Sequence, residues 1–145
     1  MSQASLDPLQ ALVEAYNDAD WSRLAGLLAP DCVYDEVGTG RQAVGARDIT
    51  AHWQGSKRAI PDAVGTVTSA LDCGDTAILE VTWNGTFTGP SGTPDGEVGP
   101  TGRHQTTRAC LVSTLQDDKI KQCRQYFDSM ALMQQLGLLA APATA

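Results

Sequence analysis

His104-Gln-Thr-Thr-Arg-Ala-Cys-Leu-Val-Ser-Thr-Leu-Gln-Asp-Asp-Lys-Ile-Lys-Gln-Cys-Arg-Gln-Tyr-Phe-Asp128 is the stretch that decides the fold of this 145-residue chain. Its two halves, 104–115 and 120–127, alternate with a period of two, as strands do, and Asp117-Asp118 between them has the chemistry of a tight turn. Upstream, 64–71 and 76–88 show the same period and meet at Gly74-Asp75. Four strands in succession, joined by short turns, predict an antiparallel meander.

Working back towards the N-terminus, the period changes to that of helices. Leu6, Leu9, Leu12, Val13 and Tyr16 recur every three to four residues and predict an amphipathic helix. Asp20 is placed to cap a short second helix carrying Trp21, Leu24, Leu27 and Leu28 and stopped by Pro30. Cys32-Val-Tyr-Asp-Glu-Val37 reads as a strand running into Gly38 and Gly40, and 46–60, with Ile49, Trp53 and Ile60, as a third helix ended by Pro61-Asp62. The Gly- and Pro-rich segment 89–102 is a loop, either a hairpin tip or a lid. A last helix starts near Asp128 or Ser129 and ends at Gly137, with the tail from Leu138 frayed or lying on a neighbour. The whole chain, 1–145, is one domain of α+β class: a curved antiparallel sheet covered by three helices into a cone with an interior.

Composition narrows the function classes. Seventeen acidic against ten basic side chains give a net charge of −7, which disfavours nucleic acid, whose phosphates require a clustered positive surface. No run of signal-peptide length opens the chain and no apolar run is long enough to cross a bilayer, so a cytoplasmic protein with no membrane partner is expected. The four cysteines are widely spaced with no C-x-x-C pair and there are two histidines, so no metal and no cofactor are expected.

Five short motifs in order carry a resemblance: Gly45-Ala-Arg-Asp-Ile49, Pro61-Asp62, Trp83-Asn-Gly-Thr-Phe-Thr-Gly89, Pro100-Thr-Gly-Arg103, and Tyr126-Phe-Asp128 followed by Gln135-Leu-Gly137. Together they resemble the SnoaL-like polyketide (ester) cyclase family of the nuclear-transport-factor-two-like superfamily, over roughly residues 8–139. The resemblance implies a cone-shaped fold, a cofactor-free enzyme and a homodimer formed through the outer face of the sheet. It also implies that Asp128, matching the aspartate that closes the family's last strand, is the general acid/base of an intramolecular aldol ring closure. Two positions depart from the family pattern, Phe87 and Cys123, where many members have histidine. The related limonene-epoxide-hydrolase pattern adds a Tyr-x-Asn pair and an Arg-x-Asp pair; here Tyr34-Asp35-Glu36 keeps the tyrosine and replaces the asparagine, and Glu80-Val-Thr-Trp83 has no Arg-x-Asp.

Strand parity, with the register taken from the resemblance, then names the company of Asp128. Tyr126, Arg124 and Gln122 share its face, as do His104, Thr106, Arg108, Cys110 and Val112 on the preceding strand, and Leu79, Val81, Trp83, Gly85 and Phe87 on the one before. Tyr34 and Glu36 come from the first strand and Trp53 from the third helix. The expected catalytic set is Asp128 with Arg108 and Tyr34 stabilising an enolate or alkoxide; the expected wall for a hydrophobic, oxygenated small molecule is Trp83, Phe87, Tyr126, Glu36, Trp53, Cys110 and Val112. Each has a plainer reading. Asp128 can be a helix cap, Arg108 a salt-bridged surface residue, Tyr34 and Trp83 core aromatics, and His52 a surface histidine. The opposite parity set, Ala109, Leu111, Leu115, Cys123 and Phe127, is apolar and would suit a dimer interface. Epoxide hydrolysis, and a non-catalytic binding or dimerisation module, stay open as alternatives to cyclisation or isomerisation.

Overall fold

A computed structural model describes residues 6–93 and 96–139. The tail beyond Leu139, for which fraying or docking on a neighbour was expected, lies outside the described residues. Helix α1 (Leu6–Asn17) buries Leu6, Leu9, Leu12, Val13 and Tyr16, the stripe that its spacing predicts. Helix α2 (Trp21–Gly26) starts at Asp20, whose side chain accepts from the Arg23 amide at 3.1 Å. The chain then enters β1 (Leu28–Glu36) two residues earlier than Pro30 alone suggests. Leu27 and Leu28 therefore leave the helix: Leu28 is buried beside Ile120, and Pro30, which has no amide to donate, sits where the β1 pairing shifts register between Leu28 and Val33.

A short strand unforeseen in the sequence, β2 (Arg41–Val44), folds back on β1 after Gly40, whose φ of 73° is the left-handed turn glycine supplies. It is mostly exposed and lacks alternation, so its pattern carries no strand signal. Helix α3 (Ala46–Ala59) follows, then the meander: β3 (Val64–Asp72), β4 (Thr76–Thr86), β7 (His104–Gln116) and β8 (Lys119–Phe127). Between β4 and β7 the loop contains a small hairpin of β5 (Ser91–Thr93) and β6 (Gly96–Val98). Helix α4 (Ser129–Leu136) ends at Gly137, with φ 76°. Strand order is β2-β1-β8-β7-β4-β3, and β1 runs parallel to β8 while all other neighbours are antiparallel. The sheet is curved and open, and the helices close over it.

Burial reverses the expected face of the last two strands. On β7 the buried residues are Gln105, Thr107, Ala109, Leu111 and Ser113; His104, Thr106 and Arg108 are exposed, and Cys110 and Val112 lie half-buried among them on the outer face. On β8, Ile120, Cys123 and Gln125 are buried and Tyr126 is 43% exposed. The register agrees: Trp83 stands opposite Thr107 and Val81 opposite Ala109, whereas Arg108 faces Thr82. The set predicted for a dimer interface is thus apolar because most of it fills the monomer's own core. A shift of one residue moves every side chain to the other face, and Asp128, exposed beyond the end of β8, does not mark the inward parity of that strand.

Candidate functional site

Inside the cone lies a cavity of about 470 Å³. Its floor is aromatic. Tyr16 from α1 meets Trp53 from α3 and Trp83 from β4 edge-on, with centroids 5.3 and 5.2 Å away; Trp53 also meets Tyr34 at 5.4 Å and Trp83 at 5.9 Å. Room for this cluster depends on Gly65 of β3, where a Cβ would stand 2.5 Å from the Trp83 ring. Phe87, Phe127 and, from α4, Leu132, Met133 and Leu136 complete the apolar wall, and Pro90, Ser91 and Gly92 bring the loop hairpin to it.

Across this wall runs a line of polar groups. The Trp83 indole donates to Gln125 Oε1 at 2.8 Å, Gln125 Nε2 donates to the Tyr34 hydroxyl at 2.6 Å, and that hydroxyl donates to Glu36 Oε2 at 2.9 Å. His52 Nε2 lies 2.9 Å from the same carboxylate oxygen, and Thr39 donates to Oε1 at 2.8 Å. Gln105 and Thr107, hydrogen-bonded to each other, add a second polar pair on β7. Burial pushes the Glu36 carboxyl up, but the hydrogen bonds from His52, Thr39 and Tyr34 and the charge of His52 outweigh it, so Glu36 is held below its ordinary value. Burial, and then the neighbouring Glu36 charge, push Tyr34 well above 10.0, so it keeps its proton.

Of the residues singled out from sequence, Tyr34, Glu36, Trp53, Trp83 and Phe87 line the cavity. Asp128, Arg108, Tyr126, Cys110 and Val112 do not. Asp128 is exposed at the end of β8, where its carboxylate accepts from the Ala131 amide at 3.0 Å and caps α4. Arg108 and Tyr126 lie on the outer face, where Tyr126 accepts from Arg124 Nε at 3.2 Å. The structure supplies others in their place: His52, Gln125, Gln105, Thr107 and Phe127. A signal for them exists. Ile49, His52, Trp53 and Ser56 share one helical face, and Gln105, Thr107 and Gln125 are polar residues on the same strand parity as Leu111 and Cys123. Polar residues placed in a core stripe need partners or a ligand.

Chemically, a carboxylate that accepts three hydrogen bonds is an anchor rather than an acid, and it orients the imidazole beside it. His52 Nδ1 has no hydrogen-bond partner among the described residues. An anchored histidine on an apolar cavity wall can take a proton from a bound molecule and return it. Among the described residues, no group of three or more His, Cys, Asp or Glu is arranged to hold a metal ion, and no helix is long and apolar enough to cross a membrane.

Solved structures repeat this fold. The chain is 28% identical to IdmH of Streptomyces antibioticus, a candidate polyketide cyclase, with 94% of this chain and 99% of that one covered and a TM-score of 0.75. A candidate SnoaL-like polyketide cyclase from Jannaschia sp. CCS1 superposes with a TM-score of 0.83 at 16% identity, covering 95% of this chain and 94% of that one. AclR of Streptomyces galilaeus, a candidate hydroxylase, gives 0.74 at 23% identity over 92% of this chain and 85% of that one, a likeness of fold alone. Among curated proteins none matches. The sequence profile of SnoaL-like polyketide cyclases matches residues 7–136, from the first helix to the last, and the chain belongs to that family.

Proposed function

We propose that this protein is a cofactor-independent acid/base enzyme that closes or isomerises a hydrophobic, oxygenated, polyketide-like molecule held in the aromatic cavity, with His52 as its base. The observation that carries this reading is the His52–Glu36 pair, 2.9 Å apart on the wall of a cavity of about 470 Å³. His52 Nδ1 removes a proton from a carbon next to a carbonyl. The enolate attacks a second carbonyl of the same molecule, one carbon–carbon bond forms, and the imidazolium returns the proton to the new alkoxide. The proton taken equals the proton returned, so the ring closure needs no oxidant or reductant. Gln105 and Thr107 are the polar groups available to the substrate's oxygens. Asp128, the acid/base that the resemblance implies, keeps its capping role.

The test is a comparison of three variants on a substrate selected from oxygenated hydrophobic compounds by thermal shift. His52→Gln and Glu36→Gln should each lose ~10²-fold or more in kcat/KM, the usual range for a positioned acid or base. Asp128→Asn should stay within a few-fold of wild type. The reverse ranking would overturn the assignment and restore Asp128.

The homodimer belongs to the same proposal. It is supported by the half-buried outer-face residues Ile78, Cys110 and Val112 beside the exposed Tyr126, and light scattering that returns the 15.3 kDa monomer mass would remove it.

A further inference from the structure

The polar line has a direction, and one residue sets it. An indole N–H can only donate, so the Trp83 contact at 2.8 Å requires the carbonyl of the Gln125 amide to face Trp83. The amide nitrogen must then face Tyr34, and it does, at 2.6 Å. A hydroxyl that accepts there has its proton free for another partner, and the acceptor within reach is Glu36 Oε2 at 2.9 Å. Thr39 donates to the other oxygen. A carboxylate in this position has only acceptors to offer, so the proton between Glu36 and His52 belongs to Nε2, and Nδ1 of the neutral ring is left with its lone pair. The donor directions from β4 across β8 to β1 follow from the indole, and the carboxylate at their end sets the one from α3.

We propose that Trp83 and Gln125 are positioning residues for His52: by turning the Tyr34 proton onto Glu36 they keep that carboxylate an acceptor, fix the Nε2–H tautomer and present Nδ1 as the working base. The proposal rests on the reading of His52 as the base, but the tautomer can be measured apart from activity. Burial supports the relay. Gln125 is 6% and Tyr34 2% exposed, so neither readily exchanges its partner for water. The other charged groups on the wall near His52 are Arg41 from β2 and Arg58 from α3 itself, and Arg58 is paired with Glu97 of the hairpin. The hairpin residues that reach the wall, Pro90, Ser91 and Gly92, bring no charge, and Arg23 of α2 is paired with Glu14.

Gln125→Glu, nearly the same shape, tests the direction. Its carboxylate still accepts from Trp83 but cannot donate to Tyr34, so the Tyr34 proton turns to it. Glu36 then loses a donor and gains a like charge nearby, and the pair it makes with His52 binds a proton more tightly. Trp83→Phe keeps an aromatic ring but frees the Gln125 amide to flip, a weaker push the same way. Two measurements follow, on full-length protein labelled with 15N-histidine. The chain has two histidines, and exposed His104 is removed as His104→Gln to assign the spectrum.

In wild type, ring nitrogen shifts followed until they stop moving with rising pH should show Nε2 protonated and Nδ1 bare. In Gln125→Glu the ring titration and the acid limb of the kcat/KM profile should move to higher pH together, by about one unit or more; Trp83→Phe should move them less. A purely structural role would lower the plateau and leave the limb in place. The proposal fails if the neutral wild-type ring carries its proton on Nδ1, or if neither folded variant moves the ring titration. If the ring titration moves while the rate profile does not, the relay stands and His52 is not the base. Should one variant not fold, the wild-type tautomer and the other variant still decide.

Discussion

Asp128 and Glu36 carry the same functional group into opposite surroundings. Both are carboxylates near the ends of strands, β8 and β1. Asp128 lies past its strand, where the Ala131 amide of α4 donates to its carboxylate. Glu36 lies on the inward parity of β1 with Cys32 and Tyr34 and finds three donors. Its acidity gives a pH signature with a definite sign. Because the folded-state value is depressed below the ordinary 4.5, the stabilisation from its hydrogen bonds is fully present above that pH and is lost as pH falls through the folded value. Lowering the pH from about 5 to 3 should therefore narrow the difference in melting temperature between wild type and Glu36→Gln. A difference that stays constant over that window would mean that the ionised carboxylate contributes nothing to the fold.

Elements were legible from the sequence in proportion to how regular their patterns are. The meander β3–β4–β7–β8 follows from its period of two, and α1, α3 and α4 from their stripes and end signals. The α2–β1 boundary and β2 did not. Pro30 stops a helix in principle, but here it sits at a strand irregularity, and the pairing of Leu28 with Ile120 ends the helix first. The Gly- and Pro-rich segment after β4 reads as a loop, yet the hairpin within it depends on close backbone packing. Gly89 lies so near the end of α3 that a Cβ would stand 1.9 Å from the Arg58 carbonyl oxygen, while its amide, like that of Thr88, donates to Ala59. Gly89→Ala must push the hairpin off α3. It should lower the melting temperature by several degrees, at about 4 °C per kcal/mol for a chain of this size, and weaken substrate binding because Pro90 to Gly92 line the cavity. Gly92→Ala in the same hairpin meets nothing within 4 Å and serves as the control. Equal melting curves for the two would show that the hairpin does not depend on that contact.

For the molecule as a whole, the curved sheet and the helices over it bury side chains that a flat sheet would leave wet, and the cysteines report on that burial. Burial pushes the Cys123 thiol up to about 12; burial, and then the Asp31 charge, push Cys32 up to about 11. Both stay neutral at pH ~8, and the neutral thiol is a poor nucleophile. Cys73 is exposed at the β3–β4 turn and Cys110 half-buried on the outer face. A thiol reagent at pH ~8 should modify Cys73 first and Cys110 more slowly, and reach Cys32 and Cys123 only once the fold opens. Prompt modification of all four in native protein would mean that the β1–β8 core is not closed as described.

The class of this protein is written in its local patterns. Periodicity, caps and turns are properties of neighbouring residues, and five weak motifs in order suffice to reach the family. Which face of β7 and β8 looks inward depends on how the helices pack, because alternation specifies two faces without saying which one they cover. That packing leaves Asp128, Arg108, Tyr126, Cys110 and Val112 outside the cavity and puts Gln125, Gln105 and Thr107 on its wall. His52 and Glu36, 16 residues apart on different elements, form a pair only because α3 crosses β1 over the cavity. A contact of that kind depends on how two elements pack, and no spacing along the chain encodes it.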